Sequence, residues 1–154
     1  MVHDHHDHDG HDHDHDHEHH HEVGPRHFFG VVPVFLVDSV EDTVAYYRDV
    51  MDFEVDFLYG TPATYASVSR DDAILNFTLS EPLGRRNSIR TAGAGNGVDA
   101  YLVVADVDDV YVEFQENGAN VVEPIASYDY GMREFIIEDL NGYRLTIAEE
   151  TDDV

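Results

Sequence analysis

The stretch VDSVEDTVAYYRDVMDFEV, Val37 to Val55, decides the fold, because it holds the end of one strand, a capped helix and the start of another strand. Ser39 stands where a helix cap is needed, with Asp42 three residues on in the capping-box position. Val40, Val44, Tyr47 and Met51 then recur at helical spacing and form one apolar stripe. Before the helix, GVVPVFLV (Gly30 to Val37) has the apolar density of a buried strand. After it, Phe53 to Leu58, Thr64 to Ser69 and Ala73 to Leu79 alternate or run apolar, and Arg70, Asp71 and Asp72 fit a tight turn between the last two. The order is strand, helix, three strands.

The same order returns further along. Glu81 to Gly97, with Pro82 and four glycines, reads as a long connection. Ala100 to Ala105 is the next strand, and Asp106 stands at the cap of a helix whose stripe is Val107, Val110, Tyr111 and Phe114. Asn117-Gly118 supplies that helix's left-handed stop. Val121 to Pro124, Arg133 to Ile137 and Tyr143 to Ala148 complete three more strands. A shift of 67 residues lays Val40 on Val107, Tyr47 on Phe114 and Val55 on Val122. Each half has an apolar sheet face that it cannot cover alone, so the repeat implies an α+β fold of two tandem βαβββ modules, about 30–80 and 98–150.

Ahead of this domain, residues 1–22 hold eleven of the twelve histidines and only two apolar residues, Met1 and Val2. Such a segment cannot bury enough surface to offset its ordering entropy, so a disordered tail is expected, joined by a linker over 23–29 to a domain over 30–150. Imidazoles alternating with carboxylates offer an extended chain many pairs of ligands for Zn, Ni, Co or Cu. The candidate metal ligands are His3, His5, His6, His8, His11, His13, His15, His17, His19, His20 and His21.

The tail contains eight of the 33 acids, which leaves 25 acids against 8 arginines in the rest of the chain, and lysine is absent throughout. A field of that sign repels phosphate backbones and anionic lipid, so neither nucleic acid nor membrane is an expected partner. It attracts cationic ligands, or it serves as a solubility surface in salt, which is the commoner use. Cysteine is absent, which excludes disulfides, thiolate metal sites and a cysteine nucleophile. His27 is the only histidine after the tail, so the domain has no Ser/His/Asp triad. AGAGNG (Ala92 to Gly97) precedes a strand and opens no helix, unlike a dinucleotide fingerprint. No apolar stretch approaches a membrane span and no signal-like start is present, so a cytoplasmic protein is expected.

The duplicated architecture, with VDSVEDTVAYYRDVMDFEV in the first half and YGMREFIIEDLNGYRLTI (Tyr130 to Ile147) in the second, resembles the vicinal-oxygen-chelate superfamily. That superfamily includes glyoxalase I, extradiol dioxygenases and bleomycin-resistance proteins. The resemblance spans about Phe29 to Glu149. It departs at Leu140, where a proline is usual, while Asn141-Gly142 still provides the turn. It implies curved sheets forming a cleft, often completed by a second subunit, so a homodimer is expected.

In metal-dependent members four side chains hold a divalent ion, and their positions fall here on Val32, Asn76, Asp99 and Thr146. Only Asp99 is ionisable, so no metal or other cofactor is expected in the cleft. The chain therefore looks closest to the metal-free bleomycin-resistance branch, which binds a small organic ligand without chemistry. A metal-dependent lyase or dioxygenase and a metal storage or delivery protein are the alternatives. Small-ligand sites combine apolar surface with a few placed polar groups, and Asn76, Asp99, Tyr101, Tyr130, Arg133, Phe135 and Thr146 are the candidate ligand-binding residues. No catalytic residue is assigned.

Overall fold

In the computed structural model, which describes residues 24–152, the Ser39 hydroxyl accepts the Asp42 N–H at 3.2 Å and opens α1 (Val40–Met51). Val40, Thr43, Val44, Tyr47 and Met51 are its buried stripe, as the spacing predicts. Asp52 ends the helix in the left-handed region, φ 57°. The first module is completed by β1 (Val34–Val37), β2 (Glu54–Tyr59), β3 (Tyr65–Arg70) and β4 (Ala73–Leu79). The second contains β5 (Ala100–Val103), α2 (Val107–Glu116), β6 (Asn120–Tyr128), β7 (Met132–Glu138) and β8 (Arg144–Glu150). The strand orders are β1-β4-β3-β2 and β5-β8-β7-β6. Each sheet has one parallel pair, β1 with β4 and β5 with β8. The duplication inferred from the 67-residue shift is thus present strand by strand.

Three local readings change. β1 begins at Val34, not at Gly30. β6 runs past Pro124 to Tyr128, with register shifts between Val121 and Ala126. It is an edge strand, where a residue without an N–H is tolerated at a bulge. Asp106 does not cap α2: it sits in the left-handed region and its side chain makes no cap bond. Glu149 on β8 accepts the Val107 N–H at 3.0 Å instead.

The chain divides into Met1–Gly30 and Val31–Val154. In the first unit, residues 24–30 hold no helix or strand, and the Arg26 guanidinium lies 5.9 Å from the centre of the Phe29 ring. The tail, with all its candidate metal ligands, lies outside the described residues. Within the second unit, each helix packs on the sheet of its own module, and the modules share one core. Tyr47 lies 4.8 Å from Phe77, Phe35 lies 4.6 Å from Tyr143, and Phe135 lies 4.9 Å from Tyr111.

Polar bonds cross the same seam. The Tyr47 hydroxyl donates to Asp139 Oδ2 at 2.7 Å, and Asn141 Nδ2 donates to Thr43 Oγ1 at 3.0 Å. The connection after β4 is held at several points. Arg86 pairs with Asp38 at 3.1 Å and Arg90 with Glu138 at 2.9 Å. Asn87 accepts the Leu36 N–H at 3.0 Å and donates to the Val34 carbonyl at 2.8 Å, so its amide occupies the outer edge of β1.

Candidate ligand-binding faces

Strand alternation sends successive side chains to opposite faces, so each sheet has a face toward its helix and an open one. In the first sheet, Phe35, Val68, Leu75 and Phe77 are buried toward α1. On the open side the register aligns two rows, Val34–Asn76–Ser67–Phe57 and Leu36–Thr78–Tyr65–Tyr59. Phe57 stacks on Tyr65 at 6.1 Å and 11°, and both Phe57 and Tyr59 are exposed. Asn76 Nδ2 donates to the Tyr65 hydroxyl at 2.9 Å, while Asn76 Oδ1 is buried without a partner. Rotating the amide by half a turn exchanges the two atoms and leaves an orphan either way.

In the second sheet, Ile137, Leu145, Ile147 and Phe135 are buried toward α2. The open rows are Tyr101–Thr146–Ile136–Glu123 and Val103–Ala148–Glu134–Ala126. Glu134 is buried, and its two carboxylate oxygens accept the hydroxyls of Tyr101 and Tyr130, one each. Tyr128 stacks on Tyr130 at 5.2 Å and 15°. Burial and the bond to Glu134 push the Tyr101 hydroxyl up to about 12, and the same carboxylate pushes Tyr130 up as well. Both tyrosines therefore stay protonated donors at neutral pH.

Of the residues marked in the sequence, Asn76, Thr146 and Tyr101 lie on the open faces, and Tyr130 reaches the same face through Glu134. Asp99 is a clamp: its oxygens accept the N–H groups of Ile89 at 2.8 Å and Arg144 at 2.9 Å, tying the long connection to β8. Phe135 and Arg133 point the other way. Phe135 is fully buried against α2, and Arg133 forms a two-bond pair with Asp108 on that helix, at 2.7 and 2.9 Å.

The cause is the turn. A two-residue Asn141-Gly142 hairpin would bring odd-numbered residues of β7 opposite Thr146, but the loop is five residues, 139–143, and pairs Glu138 with Arg144 and Ile136 with Thr146. Asp139 sets that length by accepting the Asn141 and Tyr143 N–H groups at 2.8 and 3.0 Å. With the parity corrected, Glu134 falls on the open side, and an acid directly before the apolar run Phe135 to Ile137 is the signal that could have found it.

Tested as an ion site, the four positions implied by the resemblance do not fit. Val32 has no donor, Asn76 and Thr146 offer neutral oxygens, and both Asp99 oxygens are engaged by backbone N–H groups.

Two duplicated βαβββ modules each turn an aromatic, partly polar sheet face away from their own helix. The chain belongs to the glyoxalase/bleomycin resistance protein/dioxygenase superfamily, whose sequence profile matches residues 27–147. Solved structures share the fold. The bleomycin-binding protein of bleomycin-producing Streptomyces verticillus, solved with copper(II)-bleomycin, is 24% identical with a TM-score of 0.59, over 82% of this chain and 98% of that one. TioX from Micromonospora sp. ML1 is 18% identical with a TM-score of 0.63, over 78% and 97%. A glyoxalase-related enzyme from Clostridium phytofermentans is 18% identical with a TM-score of 0.63, over 84% and 99%. No curated protein sequence matches the chain. Among the described residues, no helix is long and apolar enough to cross a membrane.

Proposed function

We propose that this protein is a cytoplasmic, non-enzymatic binder of a small organic ligand, working as a homodimer, with a tail that binds divalent transition metal. The observation that carries the reading is Asn76, a half-buried amide with one orphan polar atom in the middle of an open face beside the Phe57–Tyr65 stack. A buried polar group without a partner is costly, and a ligand that supplies the missing bond repays it. The donor set at Val32, Asn76, Asp99 and Thr146 favours binding over metal-assisted chemistry. A relative of the same fold was solved with copper(II)-bleomycin, which accords with a binding role. The exposed aromatics of both open faces favour a second copy completing each cleft.

A thermal-shift screen of small aromatic compounds tests this. Hits should raise the melting temperature of the wild type and lose most of their effect in Asn76→Leu. Stoichiometric turnover of a substrate, or hits indifferent to Asn76→Leu, would count against it, and a monomer by light scattering would remove the dimer. For the tail, calorimetry on the intact protein should register several equivalents of Zn²⁺ or Ni²⁺. Equal binding after deletion of residues 1–22 would sink the metal role.

A further inference from the structure

The open face of the second module holds a group of side chains that the reading above leaves unused. Gly131, at φ 80°, folds the chain between β6 and β7. The fold brings the Tyr130 hydroxyl back onto Glu134, and Tyr101 reaches the same carboxylate from β5, across β8. Glu134 is 9% exposed, whereas Tyr101, Tyr128 and Tyr130 are 47, 37 and 58% exposed. The carboxylate is sunk at the bottom, and three phenol rings rise around it with free surface.

Among the described residues, no salt bridge reaches Glu134. The arginine ion pairs run elsewhere: Arg48 to Asp49, Arg70 to Glu113, Arg86 to Asp38, Arg90 and Arg144 to Glu138, and Arg133 to Asp108. A buried carboxylate without an opposite charge is unfavourable. Each Glu134 oxygen accepts one tyrosine O–H bond and retains capacity for another. Phenol rings present negative faces, so the walls and the floor attract the same sign of charge. A carboxylate used only to tie two tyrosines together could be replaced by a neutral acceptor without the cost of a buried ion.

We propose that Glu134, Tyr101, Tyr128 and Tyr130 form a cage for the ammonium group of an organic amine. This rests on the reading of the open faces as ligand surface and names the chemical class of one end of the ligand. A protonated amine donates an N–H to Glu134 while its C–H and N–H edges lie against the rings. A quaternary ammonium keeps only the second contact, so it binds more weakly than the amine. A guanidinium, being planar and broader, matches the narrow floor less well than a tetrahedral ammonium.

The probes are benzylammonium, benzyltrimethylammonium and benzyl alcohol, followed on the intact chain by calorimetry at fixed ionic strength. The wild type should bind benzylammonium at least about tenfold more tightly than benzyl alcohol, a difference of about 1.4 kcal/mol, with the quaternary compound between them. Glu134→Gln should bring benzylammonium down to the affinity of benzyltrimethylammonium, since the charged acceptor is gone and the rings remain. Tyr128→Leu, which leaves both bonds to Glu134 intact, should weaken the two cations severalfold and leave benzyl alcohol unchanged.

Benzylammonium binding to Glu134→Gln as tightly as to the wild type would mean that the general acidic field supplies the preference, and the cage would be refuted. Benzyl alcohol and benzylammonium binding equally to wild type and variant would refute the cage while leaving the proposed binding function standing. Failure of all three probes to bind would also overturn it, and the binding function would then be judged by the compound screen and Asn76→Leu alone.

Discussion

Replacing Tyr47 by Phe removes one oxygen from the seam between the modules and nothing else. The ring keeps its contacts with Phe53 and Phe77, so no cavity opens beyond the hydroxyl itself. The bond that disappears is buried, 2.7 Å long and made to a carboxylate, Asp139, that is itself 6% exposed. Hydrogen bonds to charged groups contribute about 1.5–3 kcal/mol, so a loss of about 2 kcal/mol is expected. In urea, with a slope of about 2 kcal/mol/M, the midpoint should fall by about 1 M.

The pH dependence makes the test sharper. Burial raises the Asp139 pKa above its ordinary value, and the bond from Tyr47 is the largest influence pulling it back. A carboxyl raised in the folded state contributes stability that is present in acid and lost as pH rises through its folded pKa. Without the Tyr47 bond the folded pKa climbs further and more is lost. The deficit of Tyr47→Phe should therefore be smallest near about pH 4 and grow toward about pH 8. In a double-mutant cycle, Tyr47→Phe should add little once Asp139→Ala has been made, because the two share one bond. A midpoint equal to wild type at neutral pH, or a deficit that stays flat with pH, would refute the account of this seam.

Other substitutions separate clamps from ligand surface. Asp99→Ala should cost about 1–2 kcal/mol by freeing the Ile89 and Arg144 N–H groups, with compound binding unchanged in the thermal-shift screen. Arg70→Ala breaks a pair with Glu113 whose side chains are about a third exposed. It should cost under about 1 kcal/mol, and the cost should shrink in high salt when measured by urea titration. Asn76→Leu should leave stability equal or higher while weakening aromatic hits, the trade expected where a strained polar group serves a ligand. Zn²⁺ affinity of the intact chain should fall as calorimetry moves below about pH 6.5, where histidines protonate, and deletion of residues 1–22 should remove it.

Much of the fold was legible because it is written twice. The α1 cap at Ser39, the stripe from Val40 to Met51 and the 67-residue repeat each carry local information, and the fold needs little else. The open faces were half legible. Asn76, Thr146 and Tyr101 follow from alternation within one strand, whereas the face of Glu134 depends on how long the next turn is. That length is fixed by Asp139 side-chain bonds to Asn141 and Tyr143, and the Asn-Gly pair alone suggests a shorter turn. Phe57, Tyr59 and Tyr65 were missed for a similar reason. The register shift between Val55 and Phe57 on β2 places Phe57 opposite Ser67, and aromatic residues in a strand look alike whether they face a helix or solvent. Asp99, marked in the sequence as a ligand-binding candidate, is instead engaged by backbone groups that no spacing rule names.

Asn87 has a bearing on how this chain can be approached. With its amide bonded to Val34 and Leu36, the outer edge of β1 is denied to any incoming strand along that stretch. Recognition by backbone ladder, which is indifferent to side chains and prone to indiscriminate pairing, is closed off there. What meets the first module beside Val34 must come broadside, onto Phe57, Tyr65 and Asn76, where side-chain chemistry decides whether it stays.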